Sequence, residues 1–185
     1  MSNPQPSHSA KAALRKLMRA RLKSETIHHR AVSQAIAAQI RNHPGWAVAA
    51  TVALFCPLPE EPDLLALMED ASKRFVFPCI QGAQLAWRTA TSPEALQPAP
   101  HPHSKLKEPY QGAWVPPGSL DLVLVPGLAF TLCGRRLGRG GGYYDRALSS
   151  LAPHAVSLGV CCSFQIVESL PVEAHDQPVR AVFHA

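Results

Sequence analysis

Two short runs constrain the architecture of this chain more than any other feature. VAATVALF (residues 48–55) and SLDLVLVPG (119–127) are almost wholly apolar, without alternation, and proline stands at or just after the end of each. A strand that is apolar on both faces has to be covered on both faces, which is the situation of a parallel sheet in an α/β fold. FVFPCI (75–80) and HAVSLGVCC (154–162) repeat the pattern, and VRAVFHA (179–185) is a candidate for a last strand. Helical patterns lie between. Leu14, Leu17, Met18 and Leu22 recur at helical spacing within residues 10–23. Ser24 offers an N-cap to a second helix carrying Ile27, Ala31, Ala35, Ile36 and Ile40, stopped by Pro44 and Gly45. PDLLALMEDASKR (62–74) has a proline where a helix would start, and 144–151 is again helical in pattern.

Strands alternating with helices predict βαβ units and a single-domain, three-layer α/β/α fold with a mostly parallel open sheet over residues 1–185, the first nine flexible. The proline-rich segment 89–119 has few periodic signals and reads as loop, a candidate flap over a site. A length of 185 residues suits one domain with a real core. The opening MSNPQPSHSA lacks the apolar centre of a secretory signal, and the longest apolar run, about residues 46–58, is too short for a membrane span of about 20 residues. Both point to a cytoplasmic protein. The cysteines at 56, 79, 133, 161 and 162 are odd in number and form no CxxC pair, so the expectation is reduced thiols, mostly packed inside.

The net charge of +5 is uneven: between positions 11 and 41 there are eight Lys or Arg residues against one acid, Glu25. Such a bias attracts nucleotide phosphates, polyglutamate or nucleic acid, and it is equally what a solvated helix face looks like. Within it, Lys11 and Arg15 share a helical stripe with Met18 and Leu22, so two cations turn toward the core. Either a phosphate partners them or they snorkel past the apolar stripe to water.

GRRLGRGGGYYDRAL (134–148) follows the strongest strand and contains three consecutive glycines, a costly choice for a helix or strand. A loop leaving a parallel strand and entering a helix lies where open α/β sheets bind ligands, and glycines there let backbone N–H groups approach phosphate closely. Arg135, Arg136 and Arg139 add charge. The spacing alone leaves an exposed glycine turn open as the alternative, because it is neither GxGxxG nor a Walker loop.

PGLAFTLCGRRLGRGGGYYDR (126–146) resembles the signature of the 5-formyltetrahydrofolate cyclo-ligases, and KAALR (11–15), FCPLPEEPD (55–63) and LPVEAHDQPV (170–179) resemble further blocks of that family, in the same order. The resemblance covers nearly the whole chain. It implies an ATP- and Mg2+-dependent enzyme that turns 5-formyltetrahydrofolate into 5,10-methenyltetrahydrofolate, releasing ADP and phosphate, by phosphorylation of the formyl oxygen and ring closure. By the same resemblance Lys11, Arg15 and the run Arg136, Leu137, Gly138, Arg139, Gly140, Gly141, Gly142, Tyr143 and Tyr144 hold ATP, with Arg136 and Lys11 catalytic. Asp145 and Asp176 are the implied Mg2+ carboxylates, although an acid near a helix start also reads as a cap. Cys56, Glu61 and Tyr143 are the implied folate contacts, Cys56 by packing and Glu61 by pairing with the donor edge of the ring, while the neighbouring Glu60 is expected in solvent. Of the adjacent tyrosines one is expected to enter the core.

Thr131 stands where the family commonly has Asp, Cys162 where it often has Phe, and Arg180 where a second C-terminal Asp is usual; the chain ends VFHA without Thr-Glu. His101 and His103 read as surface loop and not as metal ligands. The expected partner is a folate, with or without polyglutamate, bound by a monomer, and neither membrane nor nucleic acid is expected. Two other functions fit the residues less well: an RNA-binding relative that kept the fold, suggested by the basic helices, and a ligase for another pterin.

Overall fold

The computed structural model of the chain describes residues 6–25, 29–100 and 106–185. Ile27, His101 and His103 lie outside the described residues, as do positions 1–5 of the stretch expected to be flexible. Helix α1 (Pro6–Ser24) begins inside that stretch. Ser24 closes α1 instead of capping the next helix, its hydroxyl donating to the Arg21 carbonyl at 3.1 Å. Leu17, assigned to the apolar stripe, is 62% exposed; the packed stripe runs through Lys11, Met18 and Leu22. Helix α2 (His29–Arg41) buries Ser33, Ile36, Ala37 and Ile40 and leaves Ala31 and Ala35 outside. Alanine favours a helix without needing burial, so its spacing misplaced the face by part of a turn. Pro44 and Gly45, expected as a stop, begin a short third helix, α3 (Pro44–Val48), capped by His43, whose ring accepts the Gly45 N–H.

The first strand, β1 (Thr51–Ala53), leads to β2 (Arg74–Gln81) without the helix expected over 62–74. Only a 3-10 turn, Leu65–Glu69, forms there. Asp63 accepts the Leu65 N–H at 2.9 Å and Asp70 accepts the Ser72 N–H at 3.1 Å, local bonds that compete with helical pairing at both ends. The antiparallel strand β3 (Gln84–Thr89) was not anticipated; Gly82, at φ 59°, makes the two-residue turn that joins it to β2. The proline-rich segment is not loop throughout: β4 (Leu96–Pro98) pairs with β5 (Lys107–Pro109), and β6 (Trp114–Val115) extends the sheet beside β3.

Next comes β7 (Leu122–Val125), followed by a small hairpin, β8 (Ala129–Phe130) with β9 (Arg136–Leu137), then α4 (Tyr143–Ser149), β10 (Val156–Cys161) and β11 (Ala181–His184). The seven-stranded sheet has the order β11-β10-β7-β1-β2-β3-β6, with the first five parallel, β3 antiparallel to β2 and β6 antiparallel to β3. Numbered among themselves, the parallel strands stand 2-1-3-4-5, so the winding reverses between β1 and β7, and a crevice opens at the carboxyl ends of strands that part in this way.

Pleating divides the core. Val52, Leu54, Leu122, Leu124 and Leu158 face a cluster containing Ile36, Ile40 and Trp46, while Ala53, Val76, Val123, Val125 and Cys161 face Ala147 of α4. Helices therefore cover both faces, as the unalternated runs require. Helix α1 lies over the hairpin, with Met18 and Leu22 against Leu128, Ala129 and Leu137. Four cysteines are buried and Cys133 is exposed. No helix among the described residues is long and apolar enough to cross a membrane.

Gly134 ties the hairpin to the C-terminal segment. It sits at φ +88°, accepts the Val179 N–H at 2.9 Å, and a Cβ there would lie 2.1 Å from the Val179 carbonyl oxygen. Gly134→Ala is expected to lose about 1–3 kcal/mol, read as a lower urea midpoint with an unchanged slope.

Candidate active site

A cavity of about 340 Å3 lies where the sheet order predicts, bounded by Phe55 and Cys56 just after β1 and by Pro126 and Gly127 just after β7. The bend after β7 is held from beneath by Gln165, 2% exposed, whose amide donates to the Gly127 and Leu128 carbonyls at 2.9 and 3.2 Å. The residues that the resemblance assigned to the site line this one cavity: Lys11, Arg15, Cys56, Glu61, the run 136–145 and Asp176; Arg135, counted from spacing among the cradle's charges, is exposed outside it. Pro78, Ile80 and Leu85 add an apolar wall, and Leu106, Lys107 and Glu108 of the proline-rich segment add another side. The first wall was not anticipated, although the hairpin turn at Gly82 would have indicated it; the second comes from the segment read as a candidate flap, whose prolines hid only its short strands.

The cations are not waiting unpartnered. Lys11, 3% exposed, donates to Glu173 Oε2 at 2.8 Å and to both oxygens of Asp176 at 2.7 and 2.6 Å, so the missing partner inferred from its buried position is a carboxylate pair 162 and 165 residues away. Arg15 donates to the Gly138 carbonyl at 3.1 Å and Arg19 to the Arg139 carbonyl at 2.9 Å, which pins the glycine loop to α1. Arg136 lies on β9, one strand removed from the loop that sequence placed directly between strand and helix. It is not an exposed loop arginine: its side chain is 3% exposed and pairs with Asp145 at 2.7 Å, beside the ring of Tyr144. Its Nε is buried without a partner among the described residues. A buried donor left unsatisfied is costly, which marks a place for an acceptor.

Asp145 does not cap α4. The N-cap is Gly142, at φ 65°, and Asp145 accepts from Arg136 and, at 3.3 Å, from the Gln177 N–H. Gly140 also has a positive φ, 112°, so the run of glycines serves two backbone conformations that other residues adopt only under strain. Of the two tyrosines, Tyr144 packs against the core beneath α4, and burial pushes its phenol pKa up; Tyr143 stays outside with Arg146 over its ring. Cys56 is 9% exposed, and burial raises its thiol to about 12, which fits packing and not nucleophilic attack.

Glu61 is 7% exposed and already bound: Oε1 accepts Arg139 Nε and Nη2 at 3.2 and 2.8 Å, and Oε2 accepts the Leu58 N–H at 3.0 Å. Glu60, expected in solvent, shares the same arginine at 3.1 Å. Asp176 groups with Glu173 and His175, whose donor atoms lie within 4.8 Å of one another, while Asp145 is bound to Arg136. The oxygens of Glu173 and Asp176 are hard donors of the kind that Mg2+ prefers and fit that ion, and Asp145 lines the same cavity outside their cluster. Burial works to raise the Asp176 pKa, but the Lys11 hydrogen bond, the Glu173 N–H and the charge of Lys11 outweigh it and hold the carboxyl below its usual range. Of the departures from the family pattern, Thr131 takes the Arg135 N–H at 3.1 Å within the hairpin, and Arg180 lies outside the cavity lining.

Because the folded value of Asp176 is depressed, it contributes stability above the unfolded carboxylate value of about 3.9 and loses it as pH falls through the lower folded value. Asp176→Asn should therefore have a lower urea midpoint than wild type at pH 5–7, and the gap should narrow below about pH 4.

The model of the 5-formyltetrahydrofolate cyclo-ligase family matches residues 7–185. The 5-formyltetrahydrofolate cyclo-ligase of Escherichia coli (strain K12) is 32% identical over 164 residues, covering 82% of this chain and 86% of that one. The Mus musculus 5-formyltetrahydrofolate cyclo-ligase is 26% identical over 194 residues, covering 96% and 94%. The solved structure of Aquifex aeolicus 5,10-methenyltetrahydrofolate synthetase superposes with a TM-score of 0.79 at 33% identity, covering 94% of this chain and 89% of that one. With the family match spanning nearly the full length, and a fold and cavity of this arrangement, the chain belongs to the 5-formyltetrahydrofolate cyclo-ligase family.

Proposed function

We propose that the chain performs the reaction of its family, converting 5-formyltetrahydrofolate and ATP into 5,10-methenyltetrahydrofolate, ADP and phosphate, as a cytoplasmic monomer with one domain over residues 1–185. The formyl oxygen attacks the γ-phosphorus and the bond to ADP breaks. Nitrogen 10 of the folate then attacks the activated carbon, loses its proton, and phosphate leaves with the former formyl oxygen. The nucleophiles belong to the substrates, so the protein's work is positioning and charge compensation.

The observation that carries this reading is the buried guanidinium of Arg136, with an orphan Nε, in the same cavity as the glycine loop and the buried carboxylate Glu61. A phosphate oxygen is the acceptor that donor lacks. The Arg136 and Lys11 side chains are buried, where their charge acts strongly on a transferring phosphoryl group. Arg15 holds Gly138 in place, and the glycine loop lines the same cavity, where its amides would meet the phosphates. Asp145 and Asp176, with Glu173 adjacent, would hold Mg2+, which when bound neutralises charge on the β- and γ-phosphates. Glu61 would take the donor edge of the folate ring, and Tyr143, Cys56, Ile80 and Leu85 its apolar faces. The RNA-binding alternative loses support, since Lys11, Arg15 and Arg19 are spent on intramolecular partners.

Purified protein with Mg2+, ATP and 5-formyltetrahydrofolate should generate the methenyl chromophore, and folded protein that gives none would reject the proposal. Arg136→Lys is expected to lower kcat about 100-fold or more while retaining the charge opposite Asp145. Arg136→Ala should in addition cost about 3–5 kcal/mol by leaving that buried pair broken, measured by urea unfolding.

A further inference from the structure

Arg139 is the one residue of the glycine loop whose side chain reaches the element carrying the folate carboxylate. Its Nε and Nη2 both donate to Glu61 Oε1, and Nη2 also donates to Glu60 Oε1. A carboxylate accepts about four hydrogen bonds, two at each oxygen. Oε1 of Glu61 is therefore full, and Oε2, which already takes the Leu58 N–H, has one place left. A ligand with a single donor fits beside Arg139. A pterin edge presents two adjacent N–H donors, the same fork as a guanidinium, and needs a place on each oxygen. It cannot pair fully while Arg139 stays.

The converse also holds. Glu61 is 7% exposed, and Arg139 is its cation among the described residues; a buried carboxylate that loses such a partner is uncompensated unless other donors arrive together with the loss. Arg139 itself is 35% exposed, with room to turn, and its backbone is held at the cavity by Arg19 through the Arg139 carbonyl. A released guanidinium thus stays beside the loop that faces the phosphates.

Resting on the reading of the cavity as a site for both ATP and a folate, we propose that Arg139 is shared between the two subsites. It fills the Glu61 fork when the cavity is empty and turns to the phosphate oxygens when the folate takes that fork, so each substrate tightens the binding of the other. Linkage makes the effect reciprocal, and couplings of this type amount to about 5- to 150-fold.

The test is calorimetric titration of wild type with Mg2+ and a β,γ-imido ATP analogue, with and without saturating 5-formyltetrahydrofolate. The analogue's Kd should fall about tenfold when folate is present. In Arg139→Gln, checked for folding by circular dichroism, both ligands should still bind and the ratio should fall to about one. Binding of both ligands to wild type with a ratio of one, or a wild-type ratio persisting in Arg139→Gln, would overturn the exchange while leaving the functional reading intact. Failure of folded wild type to bind either ligand would overturn both.

Discussion

The ammonium of Lys11 holds the active-site end of the molecule together. It is buried, and it is compensated by carboxylates on a segment 162 and 165 residues further along the chain. A lone buried cation costs several kcal/mol, so the first helix and the 173–176 segment depend on each other. From that contact the rest of the cavity follows. The helix brings Arg15 and Arg19 onto the carbonyls of the glycine loop, and Met18 and Leu22 onto the hairpin that carries Arg136.

Lys11, Arg136 and Arg139 each have carboxylate partners within the protein itself. Lys11 faces Glu173 and Asp176, Arg136 faces Asp145, and Arg139 faces Glu60 and Glu61. This arrangement solves a stability problem, because clustered cations in a dry site repel one another. It also sets the terms of binding: an anion has to share or displace a carboxylate, and a bound Mg2+ would let the acids keep a cation of their own. Exchangeable pairs of this kind suit the proposed binding of a triphosphate together with a metal, since each binding partner replaces what it removes.

Much of the architecture was legible because its cause is local. Unalternated apolar runs at 48–55, 75–80, 119–127 and 154–162 became parallel strands, since two covered faces leave no polar positions. The helix expected at 62–74 did not form, because Asp63 and Asp70 bind nearby N–H groups. The strand at 84–89 was overlooked although Gly82 marks its turn. The segment 89–119, read as a loop over the site, does reach the cavity, but its prolines hid its strands, because they suppress periodicity without preventing short paired strands.

The chemistry of the site lay in the residue types: glycines for close backbone approach, arginines and lysine for an anion, and carboxylates at 61, 145 and 176 for donors or a metal. Those identities, with the order of four blocks along the chain, determined the family and the set of residues that meet. What only the tertiary structure decided is which charge each of them faces. That Lys11 and Arg136 are buried, that Asp145 is an ion-pair partner and not a cap, and that Arg139 occupies Glu61 depend on contacts 9 to 165 residues apart. Pairing energy falls off with distance in space, and position along the chain carries no record of that distance.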